Sequence, residues 1–545
     1  MDSTHLRLFW ALFLAISFSA QLSAQYTRQD TLRGSVTPER AWWDLTYYHL
    51  DIRVDPGQKF IEGANTIQYR VLKPGQRMQI DLQPPMQLTA AVQNGQPVSF
   101  EQEGNVYYLE LNEVQVPGQV YEVRVNYSGH PREAVRAPWD GGLSWKTDEN
   151  GKPFVATSCQ GEGASLWWPC KDHMYDEPDS MLISVAVPDT LFEVSNGQLR
   201  GISDTGAGTR TFHWFVGNPI NNYGVNINIG DYVHFGETYD GEEGELPCDY
   251  YVLRGNLEKA KEQFKQVPMM LEAFEHWFGP YPFYEDGFKL VEVPYLGMEH
   301  QSSVTYGNGY QNGYRGMDLS GTGWGKKFDF IIIHESGHEW FANNITYKDI
   351  ADMWVHEGFT AYSENLYLDY HFGKEAAADY VIGTRRNVMN DRPIIGDYGV
   401  NRAGSGDMYY KGANMLHTIR TLIGDDGQWA RILRGLNQTF YHKTVTTQEI
   451  EGYLIEHSGL ALQPVLDQYL RDVRIPVLEY RWGKGKTLEY RWADCLSHFD
   501  MPVGLQVGER TLLLSPSTKW AAAQVKKKGE VALVRDYYAT LREVE

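Results

Sequence analysis

Residues 334–341 read HESGHEWF. Two imidazoles four residues apart on a helix share one face, so His334 and His338 can aim their ring nitrogens at one point. Imidazole nitrogen suits zinc, and a catalytic zinc takes three protein ligands while keeping one position for water. Glu335, next to the first histidine, can reach that water as a general base. A third ligand is needed, and Glu357 in the stretch WVHEGFT supplies one, 19 residues after His338. The interval leaves room for a helix end, a turn and an antiparallel return. Glu364 lies two turns beyond Glu357, where it can orient a ligating histidine or face solvent. Glu339 and His356 read as structural or solvent-facing residues rather than ligands.

The elements around this motif change period along the chain. From Trp43, Tyr48, Leu50, Ile52 and Val54 alternate with His49, Asp51, Arg53 and Asp55, as in a half-buried strand. Tyr121, Val123, Val125 and Tyr127 do the same, and turn signals recur up to about Tyr232. That predicts an antiparallel β domain. NLEKAKEQFKQVPMMLEAFEHWFG then reads as one helix, with Asn256 as N-cap and an end near Gly279. After the short strand FKLVEV, the segments DFIIIHESGHEWFANN, VHEGFTAYSENLYLDYHFG, KEAAADYVIGTRRNVMN and MYYKGANMLHTIRTLIG read as helices, and three more carry the series to about residue 473. Past Pro476 alternation returns: LEYRWGKGKTLEYRW repeats around a Gly-Lys turn, the mark of a hairpin.

The expected fold is therefore multidomain α+β. A leader covers 1–24, an antiparallel β domain 25–240, a mostly helical catalytic domain 241–474, and a small sandwich-like β domain 475–545. The length of 545 residues fits several domains. A formal net charge of −21 argues against nucleic acid and anionic membrane surfaces as partners. The apolar run LFWALFLAISFSA followed by QLSAQ predicts a secretory signal cleaved near Ala24. It is too short to span a bilayer comfortably, so the mature chain is expected to be exported, periplasmic or secreted, without stable membrane insertion. The four cysteines, Cys159, Cys170, Cys248 and Cys495, are too few for a disulfide framework. Cys159 and Cys170 are the nearest pair that could bridge. Oligomeric state and the natural substrate are not legible.

HExxH, with a glutamate 19 residues on inside WxxEGF, resembles the gluzincin aminopeptidases, the family of aminopeptidase N and leukotriene hydrolase. FGPYPF at 278–283, LGMEH at 296–300, YYKGA at 409–413 and SCQGEGASLWWPCKDHMYDEP at 158–178 resemble further family motifs in the same order. The resemblance covers roughly residues 40–480. It implies a thermolysin-like catalytic domain, one zinc per chain on His334, His338 and Glu357, and peptide substrates with a free N-terminus. It also implies that Glu299 grips the substrate's α-amino group with help from Gln160, that Gly297 and Met298 form the substrate edge, and that Tyr409, rather than Tyr410, stabilises the oxyanion.

Leu296 and His300 depart from the usual glycine and asparagine of that edge, which bears on the first residue accepted. Ala342 stands where the family often has glycine. Longer relatives carry a helical C-terminal domain over the cleft, so a more open or differently covered site is expected here. The reading is an exported zinc aminopeptidase. The rivals are an endopeptidase or epoxide hydrolase on the same metal site, and a non-catalytic peptide-binding protein on the same scaffold.

Overall fold

The structure, a computed structural model, describes residues 26–206 and 208–545. The expected leader lies outside the described residues. Alternation becomes a ten-stranded sheet, in which Trp43–Asp55 pairs antiparallel with Phe60–Val71, and that strand with Val120–Gly129. Tyr48, Leu50, Ile52 and Val54 turn into the core, as their spacing requires. One pairing departs from the antiparallel expectation. Trp43–Asp55 runs parallel to Ser180–Pro188, with Tyr47 opposite Ser180. Parallel pairing needs a long crossover, and no local period reports it. A smaller sheet carries Pro153–Ser158, which delivers Gln160 to the domain's edge.

A second sheet of five strands belongs with the helices. Its first hairpin is Tyr232–Gly241 with Gly244–Leu253, so the expected boundary at 240/241 falls at the hairpin's tip. Phe288–Glu292, Val304–Tyr306 and the edge strand Gly297–Met298 complete it. The helix expected from Asn256 to Gly279 is two helices, Leu257–Gln263 and Gln266–Phe278, broken at residues 264–265. Asn256 does not cap the first of them with its side chain. Its amide donates to Glu292 Oε1 at 2.7 Å instead. The end at Gly279 holds, at φ 94°.

The HESGH segment forms the helix Phe330–Gly337, started by Asp329, whose carboxylate accepts from the backbone N–H of Ile331 and Ile332. Ile331, Ile332 and Ile333 are all buried, so this helix is core on every side. It does not run on to Asn344 as its sequence predicts. Regular helix stops at His338, and Phe341 and Ala342 leave helical geometry within a wide turn. The break has a use: the Phe341 carbonyl accepts from His338 Nδ1 at 3.0 Å. Trp354–Phe372 packs alongside, and Tyr410–Ile423 packs against that helix in turn.

The C-terminal residues form a four-stranded and a three-stranded sheet. The repeated pentad pairs as expected, with Val477–Trp482 against Thr487–Ala493 and Tyr480 opposite Tyr490. Leu478, Leu488, Trp492 and Val503 join one continuous core with the catalytic helices. Arg385 and His417 reach across to the backbone and side chain of Asp536. All four cysteines are free, and Cys159, Cys170 and Cys248 are buried. Among the described residues no helix is long and apolar enough to cross a membrane.

Candidate active site

Each histidine of the pair is held by its Nδ1. His334 Nδ1 lies 2.7 Å from Glu364 Oε1, and Tyr380 donates to the other oxygen of Glu364. Glu364 is thus a buried orienting group, not a solvated one. His338 Nδ1 is held by the Phe341 carbonyl and lies 3.0 Å from the Thr360 hydroxyl. With Nδ1 engaged, both Nε2 atoms are left to face Glu357, whose Oε2 lies 3.8 Å from His334 Nε2 and 3.4 Å from His338 Nε2. Ligand atoms of the three residues all lie within 4.8 Å of one another.

The residues fit a zinc ion. Glu357 Oε2 is buried without a hydrogen-bond partner among the described residues, which a bare carboxylate oxygen tolerates poorly unless a cation answers it. Burial works against charge on His334, yet the nearby carboxylates of Glu357 and Glu364 raise its pKa well above the ordinary value. His338 is likewise raised by Glu357 and Glu299 against its burial. Glu357 itself is held well below the carboxylate range: burial pushes it up, and the His338 and His334 imidazoles more than offset that. The pocket's field thus favours positive charge where the three ligands converge.

Glu335 faces the same point from the first helix. Burial pushes its carboxyl up to about 7, partly opposed by His334. Glu299 follows the edge strand Gly297–Met298, and an atom of it lies within 4.8 Å of both Glu335 and His338. Gln160 Nε2 donates to Glu299 Oε1 at 2.6 Å and to Glu357 Oε1 at 2.9 Å, bridging the amine-binding candidate to the metal ligands. Tyr409 stacks on His334 with ring centroids 6.0 Å apart. Burial, then the charges of Glu357, Glu299 and Glu335, raises its pKa well above the ordinary value, which keeps its hydroxyl a donor. The neighbouring Tyr410 lines the same cleft, its pKa raised by burial and then by Glu364. Among the described residues it is the Tyr409 ring that stacks on His334.

These residues line a cleft of about 520 Å³. Gly297 and Met298 form one edge, and Leu296 reaches it too. His300 does not. It is fully buried, with Nδ1 3.3 Å from the Thr305 hydroxyl. Glu339 is buried as well, accepting from the Ser302 N–H, and His356 is buried beside Tyr223. Sequence reasoning missed Tyr223, whose hydroxyl donates to Glu299 Oε1 at 3.0 Å. It also missed Pro138 and Trp139, which overhang the cleft from the N-terminal domain, Trp139 being 65% exposed. Both lie in loops, where no periodicity marks a residue.

This constellation, a His2Glu metal centre with an adjacent base and a second carboxylate, defines a class of zinc peptidase site. The chain belongs to peptidase family M1: residues 262–469 match the Peptidase family M1 domain and residues 45–223 the Peptidase M1 N-terminal domain. It is similar to Aminopeptidase B of Mus musculus, 23% identical over 76% of this chain and 66% of that protein. Leukotriene A-4 hydrolase of Xenopus laevis is 22% identical, over 77% and 69%. The chain thus spans about two thirds of the length of these curated relatives. Its fold is that of the M1 zinc metallopeptidase of Deinococcus radiodurans, with a TM-score of 0.67 at 22% identity over 79% of this chain and 94% of that one.

Proposed function

We propose that the protein is a zinc-dependent aminopeptidase that removes single residues from peptides with a free N-terminus. The observation that carries this reading is Glu299, tethered by Gln160 to Glu357 and set beside the metal-ligand group. A buried carboxylate there pairs an α-ammonium and fixes the first peptide bond, not a later one, at the reacting centre. An endopeptidase would leave Glu299 without a task, and every ligand and base that a non-catalytic binder would lose is present.

His334, His338 and Glu357 would hold one zinc, which when bound polarises a carbonyl and makes water acidic near neutral pH. Glu335 takes a proton from the attacking water and returns it to the leaving amine. The Tyr409 hydroxyl donates a hydrogen bond to the oxygen of the scissile carbonyl as negative charge develops there. Glu364 and the Phe341 carbonyl keep the two imidazoles from rotating. Pro138, Leu296, Met298, Tyr314 and Phe330 supply an apolar lining for the first side chain.

The leader-like N-terminus supports export, which N-terminal sequencing of the mature chain tests: a start near Gln25 is expected, and a start at Met1 contradicts it. For the chemistry, the test is hydrolysis of an aminoacyl anilide with elemental analysis of the same sample. One zinc per chain, activity lost to a chelator and restored by zinc, is the expected result. A zinc-loaded chain inert toward every free-amine substrate would overturn the reading.

A further inference from the structure

The donor arrangement around Glu299 extends one residue further than the amine contact needs. The Tyr347 backbone N–H points at His356 Nε2, 2.9 Å away. A backbone amide can only donate, so that ring nitrogen is the unprotonated one and the imidazole proton sits on Nδ1. Nδ1 lies 3.4 Å from the Tyr223 hydroxyl oxygen, which accepts from it. The hydroxyl's own proton then has one destination, Glu299 Oε1 at 3.0 Å. Every donor in the chain points the same way, from backbone to histidine to tyrosine to glutamate. Gln160 donates to the same Oε1, so both fixed bonds fall on one oxygen and Oε2 is left for an ammonium.

From this geometry we infer that Tyr223, set by His356, is the positioning residue that orients Glu299 for the substrate's amine. The inference rests on the aminopeptidase reading. Its parts come from separate regions: Tyr223 from the N-terminal β domain, His356 from the helix Trp354–Phe372, and Glu299 from the edge of the catalytic sheet. All three are buried, and the His356 ring stacks on Tyr347 at 4.1 Å. Amine recognition is therefore coupled to the docking of the N-terminal domain. A tyrosine that merely fills space would be replaceable by phenylalanine, which keeps the ring and removes a single oxygen.

The test uses the zinc-loaded enzyme and two inhibitors that bind metal alike and differ only in the amine: leucine hydroxamate and its desamino counterpart. The wild type should prefer the amine-bearing member by roughly 10–100-fold, the worth of a charged hydrogen-bonded contact. Tyr223→Phe should cut that ratio by roughly tenfold, with the desamino compound bound as before, KM for a leucyl anilide raised, and kcat changed far less. His356→Gln, whose amide can both accept and donate, should keep more of the ratio than His356→Leu, and this pair decides the matter if Tyr223→Phe does not fold. A wild-type ratio near one would mean that Glu299 does not grip an amine, and the proposed function fails. A large wild-type ratio that survives both Tyr223→Phe and His356→Leu would overturn the positioning role alone.

Discussion

At the scale of single residues, the site works by committing one atom of each side chain and freeing the other. His334 and His338 give their Nδ1 atoms to Glu364 and Phe341 and keep Nε2 for metal. Glu335→Gln should therefore lower kcat by about 10²–10⁴ while zinc content stays near one per chain, read by steady-state kinetics and elemental analysis. Glu364→Ala should loosen zinc by about 10–100-fold, measured by competition with a chelator, because His334 loses the partner that fixes its tautomer. The two histidines were legible because helical period places i and i+4 together, Glu335 because it adjoins the first of them, and Glu357 from its own stretch, WVHEGFT, 19 residues on. Glu364 was legible only as an alternative, since spacing sets its face and not its burial. Tyr223 gave no signal at all: its partner Glu299 lies on another domain, and a loop has no period to betray it.

At the scale of elements, the edge strand that ends in Glu299 has no slack. A Cβ on Gly297 would meet Ile331 Cγ2 at 2.6 Å and the Thr305 carbonyl at 3.0 Å. Gly297→Val should push this strand off the HESGH helix, costing about 1–3 kcal/mol of stability, read by thermal or denaturant unfolding, and lowering kcat/KM for free-amine substrates. The cleft's charges act at the same scale. Three carboxylates line it, and among the described residues no lysine or arginine does. Peptides beginning with Leu or Phe should exceed those beginning with Asp or Glu in kcat/KM by tenfold or more, on a panel of aminoacyl anilides. Strand and helix types followed from period two and period 3.6. The break after His338 and the split at residues 264–265 did not, because tertiary hydrogen bonds, such as Asn343 to the Glu299 carbonyl and Gln263 and Gln266 to Asn312, outrank local propensity. Parallel pairing of Trp43–Asp55 was equally hidden, being a property of two distant segments.

At the scale of the whole molecule, both large domains bury titratable groups in their interiors. His173 donates to the Gly34 carbonyl and accepts from the Tyr175 N–H, while His300 sits fully buried behind the cleft edge. Burial holds both imidazoles neutral, with pKa values lowered to about 3. Because the folded values lie below the ordinary value of about 6.5, the unfolded chain takes up these protons first. Their contribution is complete above about pH 6.5 and is lost as pH falls toward 3, at about 1–2 kcal/mol per group by pH 5. Unfolding free energy should therefore drop between pH 7 and 5, and His300→Asn should flatten that slope if the variant's fold is intact by circular dichroism.

The most direct test of the central claim follows a mixed set of peptides by mass spectrometry, each present with a free and an acetylated N-terminus. Stepwise loss of single residues from the free peptides alone, abolished by a zinc chelator, is the result that Glu299 beside the His334–His338–Glu357 centre predicts. Internal cuts appearing equally in free and acetylated peptides would contradict it.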